Sequence, residues 1–470
     1  MSSRGVAILM AYQGLGSVAK LAQTLGLYGY GSVICLTDDG KTLPPEAQAL
    51  VQVKEVDVFN PQAVAEAVRD IMALDRKGDY PFLCVADRLA FSFLEARNRI
   101  PSSTVTQWSP RLAGEIGGHG IPESGIRRAR VKPWARNVWN RERVDMSRWA
   151  VHSDAREVCG NLNTRGPSIE SDREVEFYVK PLCGMASEMV RRVKGVEGIL
   201  AHASEIEAYF ADRRIRGGDG SITTIDDDFG HTYNLYKDVL IEEVLTGPEF
   251  TVDGFVVNGE VACVVQHKES RNESSFVGDG LITSPPEYAT YRIGQVQDSS
   301  LLVSTATVPP LGDFIVLVRR GLAVLGIDNW AFHAEVIATP DGLRFVELNP
   351  RPAGGLLWLT AGMQLGIDPF EALVRLHLRI PTAVPRPHWV TGQFPIYAHR
   401  PGEIRAVHGI AEARDMPFVK AITNIAAVGT RIVGVNRENY LAFVAIQAPS
   451  HEAVREAEWQ VRRLIRFDIQ

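Results

Sequence analysis

The sequence predicts an α/β protein, with a parallel sheet at the N-terminus, α+β content in the centre and a small C-terminal domain. Three observations lead there. Apolar runs alternate with helical patterns through the first hundred residues. A turn at Pro340-Asp341-Gly342 joins two strand-like runs. At 470 residues, 45% of them hydrophobic and 23% charged, the chain exceeds one core and has apolar material for several.

In chain order, Val6 to Ala11 reads as a buried strand and Ser17 to Leu27 as a helix, with Gly14 and Gly16 at the turn between them. Val33 to Leu36 and Phe82 to Ala86 read as further strands, a β-α-β rhythm that calls for a parallel sheet with helices on both faces. Gly14 and Gly16 fall short of a dinucleotide fingerprint, because the third glycine is missing at its spacing. Pro101 to Glu170 is irregular and rich in arginine and tryptophan, and reads as a linker running into a second domain. Val175 to Lys180 is the next clear strand. Arg213 to Lys237, with its glycine run at 217–218 and Asp226-Asp227-Asp228, reads as a mobile surface loop. Strands recur from Asp238 to Val265, a helix is expected over Phe314 to Leu325, and strands from Thr391 precede a helix over Ser450 to Leu464.

Bulk properties narrow the function. A net charge of −6 argues against a nucleic-acid partner. The five cysteines, Cys35, Cys84, Cys159, Cys183 and Cys263, are scattered without a Cys-x-x-Cys pair, which argues against a disulfide framework or zinc site and points to a cytoplasmic protein. The short apolar run after Met1 is a poor secretory signal. The best membrane candidate, Leu311 to Ile327, is interrupted by Asp313, Arg319 and Arg320.

The most informative segment runs from His333 to Arg351. A three-residue hairpin loop at Pro340-Asp341-Gly342 pairs Thr339 with Leu343, and counting outward sets Ile337 opposite Phe345, Glu335 opposite Glu347 and His333 opposite Asn349. Facing carboxylates destabilise a sheet, and burial removes their hydration. A hard divalent cation relieves both penalties, with the Asn349 amide oxygen as a neutral ligand. Taken alone, the face also fits a solvated acidic ribbon. Arg351 follows, a bidentate partner for a carboxylate or acyl phosphate, and Gly354-Gly355 opens a loop that backbone and ligand could share.

Two other motifs precede it. Lys180 ends a strand and is followed by a loop containing Cys183, Gly184 and Ser187, a lysine and backbone amides fitted to phosphate. Glu242-Glu243-Val-Leu245-Thr-Gly247-Pro-Glu249 places acids around a short apolar link, a fit to a flat base and a diol. Together with His333-x-Glu335…Glu347-x-Asn349-x-Arg351, these motifs resemble the ATP-grasp superfamily, and most of all its L-amino acid ligase, dipeptide-forming branch. The likeness is strongest over residues 130 to 380.

That resemblance implies an ATP-grasp fold with a Rossmann-like N-terminal domain (1–112), a linker (113–170), a lid subdomain (171–245), a core with the metal site (246–385) and a C-terminal α+β domain (386–470). It implies ATP and Mg2+ as cofactors, two ions with Mn2+ able to substitute, and small-molecule carboxylate and amine substrates, with a homodimer left open. It assigns Glu335, Glu347 and Asn349 to the metal. Lys180, Gly184, Ser187, Glu242, Glu243, Leu245, Glu249 and His267 fall to the nucleotide, and Arg351, Lys180 and Lys268 to catalysis. The implied reaction makes an amide through an acyl phosphate, releasing ADP and phosphate. Relatives carry an earlier ATP-binding lysine where this chain has Val138, leaving Lys132, Arg136 or Arg141 to supply the charge. The alternatives are a biotin-type carboxylase acting on bicarbonate and a nucleotide-binding protein without catalysis.

Overall fold

The computed structural model describes residues 5–12, 17–74, 80–84, 86, 89–100, 123–145, 147–152, 175–182, 189–214, 223–269, 290–293, 309–354, 356–378, 390–433 and 440–470. The expected glycine turn at Gly14 and Gly16, and Cys183, Gly184, Ser187 and Gly355, lie outside the described residues.

The N-terminal sheet is parallel, in the order Gln52–Glu55, Ser32–Thr37, Val6–Met10, Phe82–Cys84. Its central strand is apolar at every position because both faces are covered. Ala7 and Leu9 pack with the helices Ser17–Leu27 and Pro369–His377, while Ile8 and Met10 pack with Pro61–Leu74 and Ala90–Asn98. The first of these clusters also holds Phe255, Ala331 and Trp358, so the N-terminal sheet is anchored on distant parts of the chain.

A second, antiparallel sheet runs Trp149–His152, Val239–Glu243, Glu176–Pro181, Arg191–Lys194, with the helix Gly195–Arg214 packed on it. A third, of eight strands, runs Gly342–Asn349, Trp330–Thr339, Glu249–Val257, Glu260–Glu269, Thr290–Ile293, Val390–Tyr397, Tyr440–Ala448, Val419–Thr423. The helix Leu311–Leu325 lays Phe314, Val318 and Leu322 on this sheet against Phe250, Phe332 and Phe345, and ends at Gly326 in the left-handed conformation. Its last three strands also carry a separate core that includes Phe394, Val444, Val461 and Phe467. The helix expected over Ser450 to Leu464 is His451–Leu464, capped by the Ser450 hydroxyl, which accepts from the Ala453 amide.

Three expectations are corrected. The stretch expected as an irregular linker holds two helices, Glu123–Arg130 and Lys132–Arg141. The second buries Trp134, Val138 and Trp139 on one side and Arg136 on another, so its polar residues do not mark a solvent face and the helical period is blurred. The described part of the expected mobile loop forms a hairpin, Thr224–Asp226 with Thr232–Asn234. There Asp227 accepts from the Phe229 and His231 amides and from the Tyr233 hydroxyl. Finally, the acidic hairpin closes one residue tighter than expected. Thr339 pairs with Gly342, Ile337 with Arg344 and Val336 with Phe345. A bulge at Val346 then restores the count, so that Glu335 does face Glu347 and His333 does face Asn349.

Candidate active site

The sheet register arranges six polar residues in two rows across three strands. Asp253, His333 and Asn349 form one row, and Thr251, Glu335 and Glu347 the next. Directly opposed residues share a face, so all six point to one side of the sheet. The inner members are deeply buried: Thr251, Asp253, His333 and Asn349 are closed off, while Glu335 and Glu347 stay half-buried at the edge.

Each side chain is held by its neighbours. Asp253 Oδ1 meets His333 Nδ1 at 2.8 Å, and its Oδ2 accepts from the Thr251 hydroxyl at 2.9 Å. The other imidazole nitrogen, Nε2, faces Glu335 at 3.7 Å. Asn349 donates its amide to Glu347 Oε1 at 2.7 Å. Burial alone pushes the His333 pKa down, but the facing Asp253 and then Glu335 overcome it and raise it to about 10. One ligand atom from each of His333, Glu335 and Glu347 lies within 4.8 Å of the others. This donor set, two carboxylates and an imidazole converging on one point, fits a divalent cation.

The helix Lys132–Arg141 brings positive charge to the same place. Lys132 and Arg136 are four residues apart and share a face. Lys132 Nζ stands 3.9 Å from Glu347 Oε2. Arg136 is a buried node: Nε donates to Glu242 Oε1 at 2.6 Å, Nη2 to the Val346 carbonyl at 2.8 Å, and Nη1 approaches Asp145 at 3.4 Å. The carbonyl it binds belongs to the bulge residue. Asp145 fixes the next position, accepting from the Phe345 amide at 2.7 Å. Val138 faces the core cluster, and Arg141 lies over the Phe229 ring at 3.8 Å. Arg136 and Lys132, of the three candidates named for the missing lysine, therefore reach the acidic site.

Lys180 pairs with the second oxygen of Glu242 from the neighbouring strand. Burial by itself raises the Glu242 pKa, but Arg136 and Lys180 outweigh it and hold the carboxyl down at about 2. Burial likewise disfavours the Arg136 charge, and Glu242 and Asp145 reverse that, raising its pKa.

The remaining sequence candidates lie along the link between the two sheets. Glu243 accepts from the Arg148 amide at 2.8 Å, and Leu245 and Glu249 are half-buried. Gly247 has φ of +147°, and a Cβ there would come within 1.9 Å of the Ala338 carbonyl, so glycine lets this link lie against the acidic hairpin. His267 and Lys268 sit on the strand beside Glu249–Val257, opposite Phe250 and Glu249. Arg351 donates to the Pro352 carbonyl, just beyond the hairpin, where the Trp330 indole anchors the Pro350 carbonyl. Gly184 and Ser187 lie outside the described residues. Sequence reasoning missed Asp145, which lies in no motif, and Asp253, which lies beyond the Glu242 to Glu249 motif on the strand Glu249–Val257.

The chain has the fold of the ATP-grasp proteins. Over its whole length it superposes on an L-amino acid ligase from Bacillus licheniformis, covering 100% of both chains with a TM-score of 0.70 at 16% identity. It also matches a phosphoribosylglycinamide synthetase from Anaerococcus prevotii, again over 100% of both chains, with a TM-score of 0.64 at 13% identity. The biotin carboxylase domain of the Hydrogenobacter thermophilus 2-oxoglutarate carboxylase, solved as a dimer with MgADP and bicarbonate, matches over 98% of this chain and 90% of that one, with a TM-score of 0.64 at 15% identity.

Within that class the likeness is to amino acid ligases. Residues 395–470 match the family model "L-amino acid ligase C-terminal domain 2". A stretch of 119 residues, 25% of this chain, is 31% identical to dapdiamide A synthase of Enterobacter agglomerans, and spans only 24% of that synthase. Among the described residues no helix is long and apolar enough to cross a membrane.

Proposed function

We propose that this protein is an ADP-forming carboxylate–amine ligase that joins an amino acid to an amine through an acyl phosphate. The observation that carries the reading is the pairing of Glu335 with Glu347, half-buried on a sheet face, with Lys132 Nζ 3.9 Å from Glu347 and Arg136 joining the adjacent Val346 carbonyl to Glu242 and Lys180. Phosphoryl transfer needs alignment and charge neutralisation more than covalent help. Glu335, Glu347 and Asn349 would hold magnesium, which would supply charge neutralisation at the ATP phosphates.

The chain's own residues do the rest. Lys180 binds phosphate, with Gly184 and Ser187 offering backbone amides. Leu245 contributes backbone to the base, Glu249 accepts from the ribose hydroxyls, and Glu242 keeps Lys180 and Arg136 in position while bordering the base. Arg351 orients the substrate carboxylate and stabilises the oxyanion that forms when the amine attacks the acyl carbon. His267 contributes to nucleotide binding and Lys268 to the transfer of the phosphate. Water must be kept out, because an acyl phosphate hydrolyses. The partners are small molecules in the cytoplasm. A homodimer fits the dimeric carboxylase domain of the same fold.

The test is a screen of amino-acid pairs for phosphate and ADP release with Mg2+ and ATP. The expected result is ADP and phosphate formed only when an acid and an amine are both present. AMP with pyrophosphate would overturn the acyl-phosphate route, and ATP cleavage driven by bicarbonate without an amine would make the protein a carboxylase. ATP binding without turnover under any pair would make it a nucleotide-binding protein only.

A further inference from the structure

We infer that His333 is a nitrogen ligand of the ion held by the acidic hairpin, so that this site takes Mn2+ or another first-row transition metal ahead of Mg2+. The inference rests on the metal reading of Glu335 and Glu347 and adds a donor to it.

His333 occupies the same sheet face as both carboxylates, one row inward, and only 5% of its surface is exposed. Its Nδ1 is committed to Asp253 at 2.8 Å, so its Nε2 is the nitrogen presented to the carboxylates. The 3.7 Å between Nε2 and Glu335 Oε1 is too long for a hydrogen bond. It fits two ligands on one ion, since donors about 2.1 Å from a shared centre are separated by roughly 3 to 4 Å. Asp253 is fully buried and is itself oriented by Thr251. A carboxylate behind an imidazole, fixing its tautomer and ring plane, is the outer-shell arrangement found behind metal-binding histidines. A histidine that served only to neutralise Glu335 would need no such alignment, and a flexible lysine would serve as well.

The consequence is selectivity. An all-oxygen site favours magnesium, whereas an imidazole raises affinity for manganese and the later divalent ions. Nε2 would offer its lone pair to the ion, with Nδ1 still held by Asp253.

The experiment uses the full chain with Mn2+ and ATP, read by pulsed electron paramagnetic resonance. The expected result is a nitrogen hyperfine coupling on bound Mn2+ that shifts to the 15N frequency when histidine alone is 15N-labelled. In His333→Gln the coupling disappears, and Mn2+ affinity falls by about tenfold or more while Mg2+ affinity falls less. Asp253→Asn, which keeps the imidazole but alters its tautomer partner, lowers Mn2+ affinity by about tenfold. Bound Mn2+ with no histidine coupling in the unmutated chain, or a coupling unchanged in His333→Gln, overturns the inference and leaves the hairpin a metal site of oxygen ligands. Absence of Mn2+ binding with or without ATP overturns the hairpin reading itself, and the inference with it.

Discussion

Two groups of acids meet around the helix Lys132–Arg141, and the protein treats them differently. Glu242 is buried with a guanidinium on one oxygen and an ammonium on the other. It is an anion at any ordinary pH because its counter-charges fold with it. Glu335 and Glu347 are half-buried and face each other, and among the described residues His333 lies 3.7 Å from Glu335 and Lys132 3.9 Å from Glu347. An acid with cations in hydrogen-bonding contact belongs to the framework. Two carboxylates that face each other on one sheet face suit a shared charge brought in from outside. Arg136 links the two groups by gripping Glu242 and the bulge carbonyl of Val346 together.

The largest effect should come from breaking the framework group. Arg136→Ala leaves Glu242 and Asp145 buried with reduced compensation, and should cost about 3–5 kcal/mol of unfolding free energy in urea. A loss below about 1 kcal/mol would show that the two groups are not organised differently. Next is Glu347→Gln, where the contrast predicts the opposite pattern. Stability of the ion-free protein should change by less than about 1 kcal/mol, because one of two facing charges is removed. ADP formation should fall by at least about 100-fold, as the site loses a ligand for the ion. Unchanged turnover would mean that the hairpin holds no catalytic ion.

The smallest effect is read against pH. Glu242 has a folded pKa of about 2, below its ordinary value of 4.5. The group therefore contributes stability that is present above about pH 4.5 and is lost as pH falls through 2. Allowing for the mutual coupling of three charges, the loss is of order 2 kcal/mol. Urea midpoints measured from pH 5 to 2 should fall more steeply in the unmutated chain than in Glu242→Gln, and parallel slopes would remove Glu242 from the explanation.

How far the sequence could be read follows from the same contrast. The pairing of Glu335 with Glu347 was legible because strand alternation and a Pro-Asp-Gly turn fix which side chains oppose each other. The turn itself came out one residue tighter, and the bulge that corrects it has no local signature. It depends on Arg136 and Asp145, about two hundred residues earlier in the chain, capturing the Val346 carbonyl and the Phe345 amide. Reading Lys132–Arg141 as irregular had a related cause. Periodicity marks a helix whose polar side meets water, and Arg136 meets carboxylates instead.

The chain by itself determined the alternation of strands and helices, the two glutamates on one face of a hairpin, and the order of its motifs. Those follow from short-range geometry, where side-chain direction repeats every two or every 3.6 residues. Only the tertiary structure decided which acids are neutralised from within. Counter-charges reach Glu242 from a helix more than a hundred residues earlier and from a neighbouring strand, and Asp253 reaches His333 across a strand pairing 80 residues apart. Electrostatic partnership acts through space in a medium of low dielectric, so spacing along the chain does not reveal it.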